Sequence, residues 1–244
     1  MYQFSLEPSV TTGAALPKYI QISEMLIREI AAGRLVEGAR LPPEREMADE
    51  LAISVGTLRK ALGDLAEKGL LERVQGSGNY VRQGSATESV YAFFRLEMLT
   101  GGGLPTADVV SVDRLEKDAG VPTFGTRDEG HRIRRLRSLG GDLVALEEIW
   151  LDAGYAQNVT SDDLSESLYH FYRHDLGLVI GSVEDMVGVG QVPAWAPTTF
   201  HMRPTETAGY IERLSFDSTG AAAEFSRTWF DHNKARYVSR MGKG

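Results

Sequence analysis

One stretch of the sequence, Leu41 to Leu62, limits the available folds more than any other. Its pattern predicts a short helix, a tight turn and a second helix, and Gly-Ser-Gly at residues 76–78 predicts a hairpin turn after them. In the second helix, apolar residues form one core-facing stripe at the 3.6-residue period: Leu58, Ala61, Leu62 and Leu65. Small and basic residues occupy the opposite side and its flank: Gly56, Gly63, Lys60 and Arg59. Such a side favours close approach to an anionic groove.

The residues around this stretch extend the pattern in both directions. Pro17 suits a first helical turn, and helical periodicity continues from it to a glycine stop at Gly33. Ser54 is a favourable N-cap for the helix that ends near Gly69. The wing strands are predicted on either side of the Gly-Ser-Gly turn, at residues 70–74 and 79–82. The predicted order is three helices followed by a two-stranded wing.

Residues 17–82 resemble the winged helix-turn-helix domain of the GntR family of bacterial transcription regulators. The matching pieces occur in the order and spacing of the family: Pro17-Lys18-Tyr19-Ile20-Gln21-Ile22, Gly33-Arg34-Leu35, Leu41-Pro42, Glu44-Arg45-Glu46, Thr57-Leu58-Arg59-Lys60-Ala61-Leu62, Gly69-Leu70-Leu71 and Gly76-Ser77-Gly78. The resemblance implies a DNA-binding domain at residues 17–83 after a tail at residues 1–16. It predicts that eight residues lie at or near the operator: Arg45, Ser54, Thr57, Arg59, Lys60, Gly76, Ser77 and Gly78.

Three positions depart from the family pattern: Pro43 replaces a common serine, Val55 a common arginine and Asn79 a common threonine. A missing basic residue at Val55 removes a phosphate or base contact, so we expect a different operator. A purely structural interpretation also stays open, in which Arg45 pairs with Asp49 at i,i+4, the leucine stripe is ordinary packing and Gly-Ser-Gly is an ordinary turn.

The rest of the chain predicts a second domain of a different kind. A polar linker of small residues is predicted at 84–90, and the second domain at 91–244. Seven strands are predicted at Tyr91–Leu99, Ala107–Leu115, Gly130–Leu139, Leu143–Leu151, Ile180–Gln191, Ala208–Phe216 and Ala221–Asp231, and one helix at Ser161–Leu176. Hairpin connections between most of the strands imply an antiparallel sheet with a few helices, so the fold class is α+β.

This second part resembles the UTRA effector-binding domain of the HutC subfamily of GntR regulators, which has a chorismate-lyase-like fold. The matching residues are Ile133-Arg134-Arg135-Leu136-Arg137, Ala145-Leu146-Glu147, Ser167-Leu168-Tyr169, Glu224-Phe225-Ser226 and Phe230. The resemblance implies that Arg135 and Arg137 hold the phosphate of an effector and that Ser167 donates to it. It further implies that Glu147 and Glu224 face ligand hydroxyls or an amine, and that Phe230 forms a pocket wall.

Elementary geometry is consistent with an anion site at the two arginines. Arg135 and Arg137 are two residues apart on a predicted strand, so their side chains share one face. Two adjacent guanidinium groups repel each other unless an anion or a carboxylate bridges them. The alternative is a solvated strand in which the arginines at 132, 134, 135 and 137 pair with Glu147 and Glu148.

Composition limits the remaining function classes. The chain has no cysteine, which excludes disulfides and thiolate chemistry and favours a reducing cytoplasm. The formal net charge is −8, but residues 1–84 hold 10 basic and 11 acidic residues, against 16 and 23 in the remainder. No run of the sequence is long and apolar enough to predict a membrane-spanning helix, and no signal peptide is predicted at the N-terminus. Glu166, His170 and His174 have a spacing that could hold a metal, but an exposed helix face is the favoured interpretation.

These observations predict a homodimeric repressor that is released from a palindromic DNA operator by a small anionic metabolite, such as a sugar phosphate or carboxylate. Neither a cofactor nor a membrane partner is expected. An enzyme of chorismate-lyase-like fold fused to a DNA-binding domain is one alternative, although no P-loop, G-x-S-x-G or dinucleotide fingerprint occurs. A DNA-binding protein that responds to no ligand is the other.

Overall fold

The computed structural model describes residues 16–31, 34–82, 93–101, 105–164 and 167–239. Several predicted features lie outside these ranges: nearly all of the N-terminal tail, the 84–90 linker, the helix stop at Gly33 and the metal-spaced Glu166. No helix in the described ranges is both long enough and apolar enough to cross a membrane.

The N-terminal domain consists of three helices and a two-stranded wing, in the predicted order. The elements are α1 (Lys18–Ala31), α2 (Glu44–Glu50), α3 (Val55–Glu67), β1 (Leu71–Val74) and β2 (Gly78–Val81). The apolar stripe of α3 is fully buried with residues of α1 and α2, including Ile22, Leu26 and Met47. Burial of this stripe leaves the opposite side of α3 exposed, as its periodicity predicts.

The C-terminal domain is built on an antiparallel sheet, which confirms the predicted α+β class. Its elements are β3 (Leu96–Met98), β4 (Pro105–Glu116), β5 (Glu129–Leu139), β6 (Asp142–Asp152), a 3₁₀ turn (Ser161–Asp163), α4 (Leu168–Asp175), β7 (Ile180–Gln191), β8 (Thr207–Asp217), β9 (Ala222–Phe230) and β10 (Ala235–Tyr237). Six strands form the main sheet in the order β4-β5-β6-β9-β8-β7, and β3 pairs with β10 separately. Strands β6 and β9 therefore become central neighbours although a helix and two strands separate them in sequence.

The structure corrects the sequence prediction in three places. The predicted helix Ser161–Leu176 begins as a 3₁₀ turn, because a reciprocal Thr160–Asp163 capping box closes that turn and Leu164 is extended. The α-helix starts only after Ser167, whose hydroxyl caps it. Within the predicted strand Tyr91–Leu99, only β3 is extended and paired among the described residues, and its partner β10 was not predicted.

Both faces of the main sheet are covered, and they differ in chemistry. On β6, Glu147 and Ile149 point to the side covered by α4, where Phe171 and Tyr172 pack. Leu146 points to the other side, into an aromatic cluster that includes Trp229. Neighbouring strand residues face opposite ways, so the adjacent Glu147 and Glu148 lie on different faces.

Candidate functional site

The N-terminus of α3 is fixed by a side-chain cap. The Ser54 hydroxyl accepts a hydrogen bond from the Thr57 backbone N–H at 3.0 Å and lies 2.8 Å from the Thr57 hydroxyl. These contacts account for the helix start at this position. They place Ser54 and Thr57, both predicted DNA contacts, at the first turn of α3.

The predicted basic contacts of the helices are exposed. Arg59 pairs with Glu44 of α2 at 2.6 Å, and Lys60 and Arg45 extend into solvent. Within the described ranges Arg45 forms no ion pair with Asp49, so the purely structural interpretation of Arg45 is not observed. The Glu44 carboxylate occupies the Arg59 guanidinium, so a DNA phosphate or base that bound Arg59 would have to displace it.

The wing turn requires its glycines, and a basic residue from outside the wing, Arg40, which was not predicted, lies against it. Gly76 and Gly78 have φ values of +75° and +135°, a region that favours glycine. A Cβ added at Gly78 would lie 3.1 Å from Nε of Arg40. Arg73 of β1, also missed, donates to the Arg59 carbonyl at 3.0 Å. We define the basic face as the exposed side chains around α3 and the wing: Arg40, Arg45, Arg59, Lys60 and Arg73.

A second candidate site is centred on a buried triad in the C-terminal domain. Arg135 Nη2 donates to Glu147 at 2.7 Å, and Arg137 donates through Nε and Nη2 at 3.0 and 2.9 Å. All three side chains are less than one-tenth exposed. The two arginines thus share one strand face, as predicted, and one carboxylate bridges them.

The hydrogen-bond donors of this triad are only partly paired. Nε and Nη1 of Arg135 are buried without a hydrogen-bond partner among the described residues. Burial lowers the pKa of Arg135, with the positive charge of Arg137 adding to it. Burial alone would raise the pKa of Glu147, but the attraction of Arg137 and Arg135 outweighs it and lowers that pKa to about 2. Two unused buried N–H groups are a strong reason to expect a bound acceptor.

These groups line a partly enclosed cavity of about 90 Å³, enough for several water molecules. Its described lining residues are Phe94, Arg95, Leu96, Arg135, Arg137, Glu147, Ile149, Ser167, Leu168, Tyr169, Ile211, Arg213, Glu224, Ser226 and Thr228. Four are arginines and two are glutamates, so the lining favours an anion. Ser167 accepts from the His170 backbone N–H at 3.3 Å, which makes its hydroxyl a helix cap as well as a lining group.

Phe230 does not take the predicted place in this wall. Its side chain points to the same face of the sheet as Glu224, Ser226 and Thr228, because these residues occupy every second position of β9. However, Phe230 lies at the end of the strand and is buried in an apolar cluster with Leu96. It is not among the described lining residues, and it packs with the lining residue Leu96.

Glu224 sits in a neutral polar cluster at the other side of the cavity. Its carboxylate accepts from the Tyr172 hydroxyl at 2.7 Å, the Ser215 hydroxyl at 2.9 Å and the Tyr169 hydroxyl at 3.3 Å. Burial raises the pKa of Glu224, and the hydrogen bonds from Tyr172 and Ser215 and the charges of Arg213 and Arg135 only partly offset that effect. The cavity therefore combines a cationic end with a carboxyl whose ionisation is disfavoured.

Two further arginines of the cavity were not predicted. Arg213 is held by a bidentate pair with Asp185 at 2.6 and 2.7 Å, and the Tyr237 hydroxyl donates to the same carboxylate. Arg95 enters the lining from the segment before β3. A single arginine on a strand cannot be recognised from the sequence as a cavity residue, because only the order of the strands in the sheet brings it there.

The other arginines of β5 belong to the opposite face of the sheet. Arg134 pairs with Glu148 at 2.7 Å and Arg132 with Asp113 at 2.9 Å. The paired-strand alternative is therefore correct for Arg134 but not for Arg132, whose partner is Asp113. Arg135 and Arg137 do pair with Glu147, as that alternative states, but they are buried and not solvated. His170 and His174 stack with ring centroids 4.3 Å apart, but the described side chains contain no group of three suited to a metal.

Comparison with known proteins gives consistent matches along the chain. Residues 18–81 match the model of bacterial regulatory proteins of the gntR family, and residues 101–236 match the UTRA domain. The HTH-type transcriptional regulator SmoD of Agrobacterium fabrum is 57% identical over 94% of this chain and 98% of its own. The mannosyl-D-glycerate transport/metabolism system repressor MngR of Escherichia coli is 26% identical over 91% of this chain and 95% of its own. Among solved structures, YydK of Bacillus subtilis has a TM-score of 0.52 at 21% identity, covering 93% of this chain and all of its own.

Proposed function

The chain belongs to the GntR family of bacterial regulatory proteins, in the UTRA-containing HutC subfamily, and we propose that a small anionic metabolite releases it from its operator. Membership in this family makes it a ligand-responsive DNA-binding transcription regulator and not an enzyme. The observation that carries the anionic effector is the cavity of the C-terminal domain. Arg135 offers two buried N–H groups without partners, beside Arg137 and close to Ser167. An oxyanion would satisfy those donors and neutralise the excess of arginine over glutamate.

The remaining lining suggests the rest of the ligand. Glu224, which burial favours in its neutral form, can donate to or accept from a hydroxyl, and Arg213 is held rigidly nearby. A sugar phosphate or sugar carboxylate combines an anionic end with several hydroxyls. MngR is named for a system that handles mannosyl-D-glycerate, a glycoside that carries a carboxylate, and this supports an effector of the same class.

A thermal-shift panel of phosphorylated and carboxylated sugars tests this proposal. We expect at least one compound to raise the melting temperature of the wild type and to lose that effect in Arg135→Gln. Arg134→Gln is the matched control, because it removes the neighbouring arginine on the opposite face. A panel without any stabilising anion would contradict the anionic effector and favour a regulator that responds to a different ligand class or to none.

We propose that the basic face contacts the operator, with α3 in the major groove and the wing glycines against the backbone. Its five exposed cations lie on and around α3, whose outer side also carries the small residues Gly56 and Gly63, and this combination suits close approach to DNA. Such contacts add salt-dependent affinity by displacing counterions from phosphates. A role on operator DNA also supports the proposal that the protein is cytoplasmic.

We further propose that the protein is a homodimer that pairs through β7, the edge strand of the main sheet. Residues 186–191 carry no charge, and Met186, Val187 and Val189 are 55%, 52% and 77% exposed. Exposed uncharged edge strands invite pairing with another strand. A two-fold axis near Gly188 would bring Val187 of one copy opposite Val189 of the other, and two DNA-binding domains would then read a palindromic site.

A further inference from the structure

The segment at residues 93–101 connects the cavity to the DNA-binding domain. On one side, Phe94, Arg95 and Leu96 line the cavity. On the other, Nη2 of Arg28 on α1 donates to the Leu96 carbonyl at 2.8 Å. Arg34 pairs with Glu29 of α1 at 2.7 Å and reaches Glu97 of β3 at 3.4 Å. One short segment is thus both a cavity wall and the contact surface for the first helix.

Phe94 has the most informative position in this segment. The Arg28 guanidinium lies 5.0 Å from the centroid of its ring, and the Arg137 guanidinium of the cavity lies 5.3 Å from the same centroid. Ile20 of the N-terminal domain and Leu16, which directly precedes that domain, also pack with Phe94. A single ring therefore contacts an arginine of the DNA-binding domain and an arginine of the effector cavity.

We propose that Phe94 is the positioning residue through which an occupied cavity alters the DNA-binding domain, an inference that rests on the proposed anionic effector. An anion at Arg137 competes for the guanidinium that now faces Phe94 and Glu147. Drawing Arg137 towards the anion weakens its contact with the ring, and the ring can then shift away from the position in which it meets Arg28. Effector and operator become coupled because they favour different arrangements of this contact.

The physical basis is the directional nature of the ring contacts. A cation is attracted to the face of an aromatic ring, so displacement of either arginine removes that attraction, whereas a purely apolar contact tolerates sliding. The Leu96 carbonyl ties the same segment to Arg28 by a hydrogen bond, so movement of Phe94 and movement of α1 are linked. Leucine at position 94 would keep the packing against Leu16 and Ile20 and remove the aromatic face.

A double-mutant cycle tests the role of Phe94 without any effector. The measured quantity is affinity for a duplex that the wild type selects from a random-sequence library. We expect Arg137→Gln to weaken operator binding at least threefold in the wild-type background, because it mimics an arginine drawn away from the ring. In a Phe94→Leu background the same change should have less than a 1.5-fold effect, because the route is already broken.

Phe93→Leu is the matched control, since Phe93 is adjacent but contacts Tyr169 edge-on. Its background should preserve the full effect of Arg137→Gln. Equal effects of Arg137→Gln with and without Phe94, or no effect in the wild-type background, would overturn the inference. Arg137→Met, which removes the charge and keeps the length of the side chain, replaces Arg137→Gln if the latter melts below the assay temperature. Because the cycle uses only DNA binding, its failure is distinct from failure of the thermal-shift panel.

Discussion

Two buried glutamates of the cavity titrate in opposite directions. Burial opposes ionisation of both, but only Glu147 has arginines close enough to reverse the effect, so its pKa falls to about 2 while that of Glu224 rises. The ionised Glu147 therefore stabilises the folded state at pH values above its unfolded pKa, near 4.5. The contribution of Glu224 has the opposite sign: it is complete below that pH and is lost as the pH rises through its folded pKa.

Neutral substitutions at the two positions should separate these contributions. Glu147→Gln should destabilise the protein by about 3–5 kcal/mol at neutral pH, because two buried arginines lose their carboxylate. The deficit should shrink as the pH falls from 4.5 towards 2. Glu224→Gln should instead gain stability relative to the wild type as the pH rises above 4.5. Urea unfolding of the three proteins across this pH range measures both trends, and a constant difference at either position would contradict the assigned titration.

The exposed Arg59–Glu44 pair leads to a prediction about operator affinity. Arg59→Ala should weaken binding about 5–150-fold, corresponding to roughly 1–3 kcal/mol for a good base contact. Glu44→Gln should strengthen it by up to about fivefold, because releasing an exposed ion pair costs at most about 1 kcal/mol. Fluorescence anisotropy with a labelled operator duplex gives both values.

Glu46→Gln serves as the control for the second change, because Glu46 is also in the first turn of α2, whereas Arg59 pairs with Glu44 in the described structure. Equal gains from the two glutamine variants would reflect net charge alone. Unchanged affinity in Arg59→Ala would remove Arg59 from the interface.

At the residue scale, the sequence predicts contacts that depend on local periodicity. The alternation of a strand places Arg135 and Arg137 on one face, and Ser54 before an apolar stripe predicts a cap; both features are present in the structure. Arg213 could not be predicted as a cavity residue, because its place depends on β8 lying next to β9. Phe230 was misplaced because alternation gives the direction of a side chain but not its depth along the strand.

At the element scale, the two edges of the main sheet differ sharply. Strand β4 has a bulge between Val109 and Ser111, and it carries charged residues at Asp108, Asp113 and Arg114. Bulges and charges are ordinary protection against edge pairing. The stretch at residues 186–191 of β7 has no charge and pairs regularly with β8. This contrast supports β7 as the pairing edge.

A charge on the β7 edge should therefore prevent the proposed dimer from forming. Val189→Lys should elute and scatter as a monomer of about 26.8 kDa, whereas the wild type should have about twice that mass. Val110→Lys is the matched control, since Val110 is an exposed valine on the opposite edge. Size-exclusion chromatography with light scattering distinguishes the two states. A dimeric Val189→Lys protein would exclude β7 as the pairing strand.

Element boundaries were predicted well where one periodicity continues and poorly where it changes. The strands β5 to β9 agree with prediction to within about two residues at most ends, because alternation and glycine turns define them. The single helix predicted at residues 161–176 is divided, since capping at Thr160 and Ser167 starts a new element at each position. The apolar residues keep a helical spacing throughout this segment, but the caps formed by the hydroxyls of Thr160 and Ser167 determine where the elements begin.

At the scale of the whole molecule, recognition of DNA and recognition of an effector belong to separate domains. The order of domains and the α+β class were predictable from motif order and turn spacing. The contacts between the domains were not, because Arg28 and Phe94 are far apart in sequence and neither belongs to a motif. A ligand acts only through the difference between two arrangements, so these contacts and the proposed dimer interface are the candidates for the route of regulation.

Operator titration with and without a stabilising metabolite tests the central claim most directly. Coupling of about 1–3 kcal/mol predicts operator affinity roughly 5–150-fold weaker at saturating metabolite. Reciprocity requires that saturating operator weaken metabolite binding by the same factor, and Arg135→Gln should retain operator affinity while losing the response. Identical operator affinities with and without a metabolite that stabilises the wild type would contradict release by an anionic effector.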